Sequence, residues 1–124
     1  MRRLIVSSTL ALVAIAITLL APAQLASAAD RHPTQATATT IRASAGEMFF
    51  RLSAKTAKPG KVTFVVRNIG NAVHDFRING KKTPLIQPGR SARLVVTLKR
   101  GRHPYLCTVF GHAAAGMRGV FRVT

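Results

Sequence analysis

Short runs in which apolar and polar residues alternate are the feature that most constrains the fold of this chain. KVTFVVRN (61–68), SARLVVTL (91–98) and MRGVFRVT (117–124) each place apolar residues at alternate positions. Because successive side chains of a strand point to opposite faces of a sheet, this period of two predicts strands that bury one face. Turn-forming pairs such as Asn79-Gly80 separate the runs and are typical of tight connections.

No stretch of the chain after the first strand-like run shows a helical pattern, and short strands with frequent turns are typical of all-β proteins. The sequence therefore predicts one all-β domain over residues 41–124, a Greek-key β-sandwich or barrel of about seven to eight strands. Neither an internal repeat nor a second domain is indicated in the 124 residues.

The first 28 residues have the pattern of a secretory signal peptide. Two arginines follow Met1, an apolar run covers 4–20, and small residues stand at Ala26 and Ala28. This pattern predicts cleavage and export to the periplasm, the cell envelope or the extracellular space, and residues 29–40 then form a flexible polar lead-in. A retained membrane anchor is the alternative, because the run is almost long enough to span a bilayer.

The charge of the chain is strongly one-sided. Nineteen Lys and Arg residues oppose three acids, Asp30, Glu47 and Asp75, which gives a formal net charge of +16. The bases are spread along the sequence, which predicts a solvated outer face more than one binding patch. Such a charge favours acidic or membrane-associated protein partners, or an anionic envelope surface, and export makes nucleic acid an unsuitable partner.

The only cysteine, Cys107, lies in the segment YLCTVFGHAAAGM (105–117) together with His112 and Met117. A single cysteine cannot form an internal disulfide, so its thiol is free for another use or simply buried. Thiolate, imidazole and thioether are soft or borderline ligands, and blue copper sites combine one Cys, two His and a weak axial Met. The segment therefore offers three of the four ligands of such a site.

The missing imidazole has to come from one of the other three histidines. His32 lies in the lead-in, where a solvated side chain is expected. His103 is four residues before Cys107 and thus about 13 Å away along one strand. His74, in the segment NIGNAVHDF, follows one predicted strand and precedes another, so it is the only good candidate.

Together, NIGNAVHDF and YLCTVFGHAAAGM resemble the two copper-binding segments of the cupredoxins, the small blue copper proteins of the plastocyanin and azurin type. The spacing within the second segment is most similar to that of rusticyanin. The resemblance covers residues 41–124 and implies one type 1 copper ion, bound in a plane by His74, Cys107 and His112, with Met117 as the long axial ligand. It also implies a one-electron carrier for redox proteins that is not an enzyme and has no small-molecule substrate.

The resemblance assigns further roles around the copper. It suggests that Asp75 and Thr108 connect the two segments by hydrogen bonds. Asp75 stands where the family commonly has Asn, and its charge would either lower the reduction potential or be paired with an arginine. Phe110, which replaces a common Pro, is expected to form an apolar docking rim around His112 with three small residues, Ala113, Ala114 and Ala115.

Two other functions fit the same residues. One is a copper-delivery protein with the same ligands, and the other is a structural envelope-binding β-domain in which the thiol, the histidines and the methionine only pack or solvate. A binuclear copper centre of the oxidase-subunit kind is excluded because it needs a second cysteine. A multicopper oxidase is excluded because one domain with four histidines cannot build its oxygen-reducing cluster.

Overall fold

The computed structural model describes residues 38–124, and the predicted signal peptide (1–28) and most of the lead-in (29–40) lie outside them. The described residues form nine strands and no helix, which confirms the all-β prediction. Nine is slightly more than the predicted seven to eight, and three of the nine strands are only two residues long. In chain order the strands are β1 (Thr39–Gly46), β2 (Phe49–Leu52), β3 (Thr56–Ala57), β4 (Gly60–Asn68), β5 (Arg77–Ile78), β6 (Lys81–Lys82), β7 (Ser91–Leu98), β8 (Gly101–Leu106) and β9 (Arg118–Val123).

The strands make a sandwich of two mixed sheets. One has four strands in the order β2-β1-β4-β7, and the other has five in the order β3-β9-β8-β5-β6. The β1–β4 and β3–β9 pairs are parallel, and the other pairs are antiparallel. Because neighbours such as β4 and β7 are not consecutive, the chain crosses repeatedly between the sheets, as Greek-key sandwiches do. Within residues 38–124, no helix is long and apolar enough to cross a membrane.

The core is built from alternate residues of the long strands, and the Phe64 ring lies near its centre. This ring packs against Phe76 and Phe121, with centroids 5.0 and 5.3 Å apart. Full burial of one such ring contributes about 1.5–3 kcal/mol. The positions predicted to point inward are all buried: Val62, Phe64, Val66, Leu94, Val96, Leu98, Phe121 and Val123.

The outer surface of the sandwich is basic. Every Lys and Arg of residues 38–124 is exposed, as expected for a solvated outer face. On the four-stranded sheet, for example, the register places Arg42 and Arg93 on either side of Val65. The uncharged interior and the positive exterior are thus separated by the alternation along each strand.

Candidate metal centre

The loop that follows β4 carries His74, and the buried side chain of Asn68 shapes it. Asn68 Nδ2 donates to the carbonyl oxygens of Ala72 and Ile86, each at 2.8 Å, and its Oδ1 accepts from the Gly70 N–H at 2.9 Å. An isolated β-bridge then pairs His74 with Ile86, with N···O distances of 3.2 and 2.7 Å. These bonds hold the backbone of His74 in place at the end of the sandwich.

The loop between β8 and β9 carries the remaining candidate ligands, which are Cys107, His112 and Met117. Cys107 directly follows β8, and its N–H donates to the Met117 carbonyl at 3.0 Å, which closes the loop at its base. The Met117 N–H in turn donates to the His112 carbonyl at 3.0 Å. Gly111 and Gly116 have φ values of 81° and 112°, a backbone conformation that favours glycine and allows the tight path.

The two loops bring three donor side chains to one point inside the protein. His74 Nδ1 lies 3.2 Å from His112 Nδ1, and Cys107 Sγ lies 3.6 Å from the same His112 atom. One donor atom from each residue lies within 4.8 Å of the others, and all three side chains are buried. Met117, at the base of the second loop, is also fully buried.

The chemistry of this cluster fits a soft or borderline metal ion. Two imidazole nitrogens that face each other cannot both carry a proton without repulsion, so at least one of them presents its lone pair to the cluster. Burial lowers the pKa of His74 and raises the pKa of Cys107, so the metal-free site favours a neutral imidazole and a protonated thiol. The same donor types, two imidazoles and a thiol with a methionine beside them, are those that copper prefers.

His103 does not join the cluster. It lies in β8, and its Nε2 is 2.7 Å from the Lys99 carbonyl oxygen in the turn before that strand. The prediction that His103 lies too far along the strand to be a ligand is thus consistent with the structure. His32 lies outside the described residues.

Asp75 and Thr108 connect the two loops. The Thr108 N–H donates to Asp75 Oδ1 at 2.6 Å, and the Thr108 hydroxyl donates to Asp75 Oδ2. The Asp75 carboxylate is fully buried, and the exposed Lys82 has its Nζ 3.6 Å from Oδ2. The cation that partly offsets the Asp75 charge is therefore a lysine, and not one of the arginines considered from the sequence.

Glu47 is a residue of the site that the sequence motifs did not identify. It lies in the turn between β1 and β2, and its Oε1 accepts from the N–H groups of Asn71 and Ala72 at 2.7 and 2.6 Å. The same oxygen is 3.4 Å from His74 Nε2. The Ala72 N–H is the main group that lowers the pKa of Glu47. The signal in the sequence was its rarity, since only three acids occur in the whole chain.

The loop between β8 and β9 also exposes an apolar surface. The Phe110 side chain is fully exposed, Ala114 and Ala115 are exposed, and Ala113 is half-buried. His112 retains 9% of its surface whereas His74 has none. Among the donor side chains of the cluster, His112 is therefore the one with the largest solvent-facing edge.

Comparison with solved structures shows the fold of the chain. No protein-family model matches the chain, and no curated protein is significantly similar to it in sequence. A reduced auracyanin from Roseiflexus castenholzii is similar in structure, with 22% identity and a TM-score of 0.62, over 70% of this chain and 98% of that one.

Two further solved structures agree with it. Auracyanin A, a "blue" copper protein from Chloroflexus aurantiacus, has 19% identity and a TM-score of 0.58, over 69% of this chain and 98% of its own. Auracyanin B has 21% identity and a TM-score of 0.60, over 70% of this chain and 89% of its own. The chain therefore has the cupredoxin fold, and three of the four predicted ligands, His74, Cys107 and His112, lie together at one buried point.

Proposed function

We propose that this protein is an exported type 1 copper protein that carries single electrons between redox proteins and is not an enzyme. The observation that carries the proposal is that one donor atom each of His74, Cys107 and His112 lies within 4.8 Å of the others at a buried point. These three residues, together with Met117, would hold the ion. Blue copper sites have this combination of one Cys, two His and a weak Met.

A bound copper ion would supply a reversible one-electron exchange between Cu(II) and Cu(I). The role of the protein is to keep the donor side chains in the same positions in both oxidation states. The Cys107–Met117 backbone bond closes the second loop, and the bonds from Thr108 to Asp75 join that loop to the His74 loop. Because the donors are already held by these bonds, little rearrangement accompanies a change of charge, and small reorganisation favours fast electron transfer.

Electron exchange with a partner is proposed to take place at His112. Its partly exposed edge lies in the loop that carries Phe110 and the three alanines. Weak complexes between redox proteins use small interfaces. A partner could bind to a small apolar rim of this kind and dissociate from it quickly. The basic exterior would steer acidic or membrane-associated partners toward the protein.

The proposal is tested by adding one equivalent of Cu(II) to the purified metal-free protein and recording its visible spectrum. We expect an intense blue thiolate-to-copper band that disappears on reduction and returns on oxidation. Cys107→Ser should abolish the band because the hydroxyl cannot replace the thiolate ligand. His103→Gln is the matched control, since His103 is a histidine outside the cluster, and it should keep the colour.

The two alternatives predict different results. A copper-delivery protein would bind the ion without a reversible blue band and a defined potential. A structural β-domain would bind no stoichiometric copper, and Cu(II) would leave its thermal stability unchanged. Either result would contradict the electron-carrier function.

A further inference from the structure

We propose that Glu47 is a positioning residue of the copper site, which fixes the His74 imidazole through Nε2 and whose negative charge favours Cu(II) over Cu(I). The inference rests on the proposed copper function and adds a residue outside the four ligands and their connecting pair. It is carried by the contacts of the Glu47 carboxylate, by the orientation of His74 and by the distribution of acids.

The Glu47 carboxylate is held against the His74 loop by backbone hydrogen bonds. Its Oε1 accepts from Asn71 at 2.7 Å and from Ala72 at 2.6 Å. A Cβ atom at Gly70 would overlap this carboxylate, so glycine at that position makes room for it. The carboxylate is therefore held at a defined point of the loop, against the N–H groups two and three residues before His74.

The orientation of His74 makes the carboxylate its outer partner. Its Nδ1 faces His112 Nδ1 at 3.2 Å, whereas its Nε2 is 3.4 Å from Glu47 Oε1. Coordination through Nδ1 leaves the proton on Nε2. Among residues 38–124, His74 Nε2 has no hydrogen-bond partner, because its N–H is not aligned with Glu47 Oε1 at 3.4 Å.

Such a buried N–H needs an acceptor, because an unsatisfied one costs about 1–3 kcal/mol. The Glu47 carboxylate is the group within reach, and a small movement of the side chain would complete the bond. Carboxylates that accept from the outer nitrogen of a ligand histidine fix its tautomer and ring orientation and make it a stronger donor.

Within the residues that the structure describes, Glu47 has no cationic partner from lysine or arginine, unlike Asp75. Asp75 has two bonds from Thr108 and Lys82 Nζ at 3.6 Å, whereas no Lys or Arg in the described part of the chain forms an ion pair with Glu47. A negative charge beside a ligand stabilises the more positive oxidation state of the metal. Glu47 should therefore lower the reduction potential.

Glu47→Gln separates the charge from the structural role, because its amide oxygen can still accept from Asn71 and Ala72. We expect the blue band to remain and the preference for Cu(II) over Cu(I) to fall about tenfold, which is a rise in potential of about 59 mV for one electron. Glu47→Ala removes both roles, and its Cu(II) affinity should fall about 10–100-fold.

Thr97→Lys is the matched control for net charge. Thr97 is exposed on β7 and pairs with Lys61. Lys61 lies near the beginning of β4, whereas the His74 loop follows the other end of that strand, at Asn68. This variant raises the net charge by the same single unit as Glu47→Gln. Its potential should equal that of the wild type, and a rise as large as that of Glu47→Gln would assign the effect to overall charge and overturn the proposal.

A measurement on the metal-free protein does not depend on copper. Long-range ¹H–¹⁵N NMR reports which imidazole nitrogen carries the proton, and we expect the Nε2–H form of His74 in the wild type and a gain of the Nδ1–H form in Glu47→Ala. An Nδ1–H form in the wild type, or a Glu47→Gln potential equal to that of the wild type, would overturn the role of Glu47. The colour of the wild type tests the copper function separately.

Discussion

Burial acts in opposite directions on the two kinds of donor in the cluster. His74 is fully buried and Cys107 almost so, and low polarity disfavours the charged form of each. It therefore holds the pKa of His74 below its ordinary value of 6.5 and the pKa of Cys107 above its ordinary value of 9.0. Without metal the residues are neutral, and thiolate binding to a metal ion must release the Cys107 proton.

We predict from these shifts that the metal-free protein loses stability on both sides of neutral pH. Below about pH 6.5 the unfolded chain takes up a proton at His74 that the folded chain resists, so stability falls as the pH falls. Above about pH 9 the unfolded chain loses the Cys107 proton that the folded chain keeps, so stability falls as the pH rises. Each group contributes a slope of at most about 1.4 kcal/mol per pH unit.

Urea unfolding of the metal-free protein between about pH 5 and pH 10 measures both limbs. Cys107→Ser should flatten the alkaline limb and leave the acidic one, because serine does not titrate there. An alkaline limb that is unchanged in Cys107→Ser would assign it to another group and contradict the prediction.

Among the structural elements, the site depends on two loops that come from different sheets. The His74 loop follows β4 of the four-stranded sheet, and the Cys107–Met117 loop follows β8 of the five-stranded one. Asp75 and Thr108 join them across the sandwich. Since sandwich packing alone does not fix the relative position of loops, this hydrogen-bonded pair sets how closely the donors approach.

We predict that Asp75→Ala destabilises the metal-free protein by about 1.5–3 kcal/mol, the range for hydrogen bonds to a charged group. The loss arises because the part-buried Thr108 N–H and hydroxyl lose their acceptors. Chemical denaturation of the metal-free protein measures it without reference to copper. Thr108→Val is the matched control and should lose less, since the backbone N–H bond survives, and equal stability of Asp75→Ala and wild type would contradict the prediction.

The whole molecule has a positive exterior, and its described acids are at the metal centre. Every Lys and Arg of residues 38–124 is exposed, while Asp75 is fully buried and the Glu47 side chain is 40% exposed. Little negative surface charge is therefore present to oppose the long-range attraction of an anionic reactant. Such steering acts on association rates and weakens as salt screens it.

We predict that oxidation of the reduced copper protein by ferricyanide, an anionic oxidant, slows as ionic strength rises. Oxidation by a cationic cobalt complex should become faster, because salt screens repulsion in that case. Stopped-flow bleaching or recovery of the blue band measures both rates. Rates that do not change with salt for either oxidant would show that the basic surface does not steer reactants.

Much of the fold could be predicted because it depends on local patterns. Alternation at Val62, Phe64 and Val66 identifies a strand with one buried face, and tight turns leave few ways to connect such strands. The two-residue strands β3, β5 and β6 could not be predicted in the same way. Segments so short contain no period, and they exist because their neighbours offer free backbone groups.

Cys107, His112 and Met117 could be identified as a set because they lie in one short loop, and the sequence alone determined their donor chemistry and spacing. The approach of His112 to His74 to within 3.2 Å, and the contact of Glu47 with the far nitrogen of His74, were decided only by the tertiary structure. Glu47 belongs to no motif and is 27 positions from His74 in the chain. The parallel pairing of β1 with β4 in one sheet brings the β1–β2 turn beside the His74 loop, because parallel strands end at the same edge of a sheet. Pairing between strands that are not consecutive in the chain depends on the tertiary structure and not on local sequence.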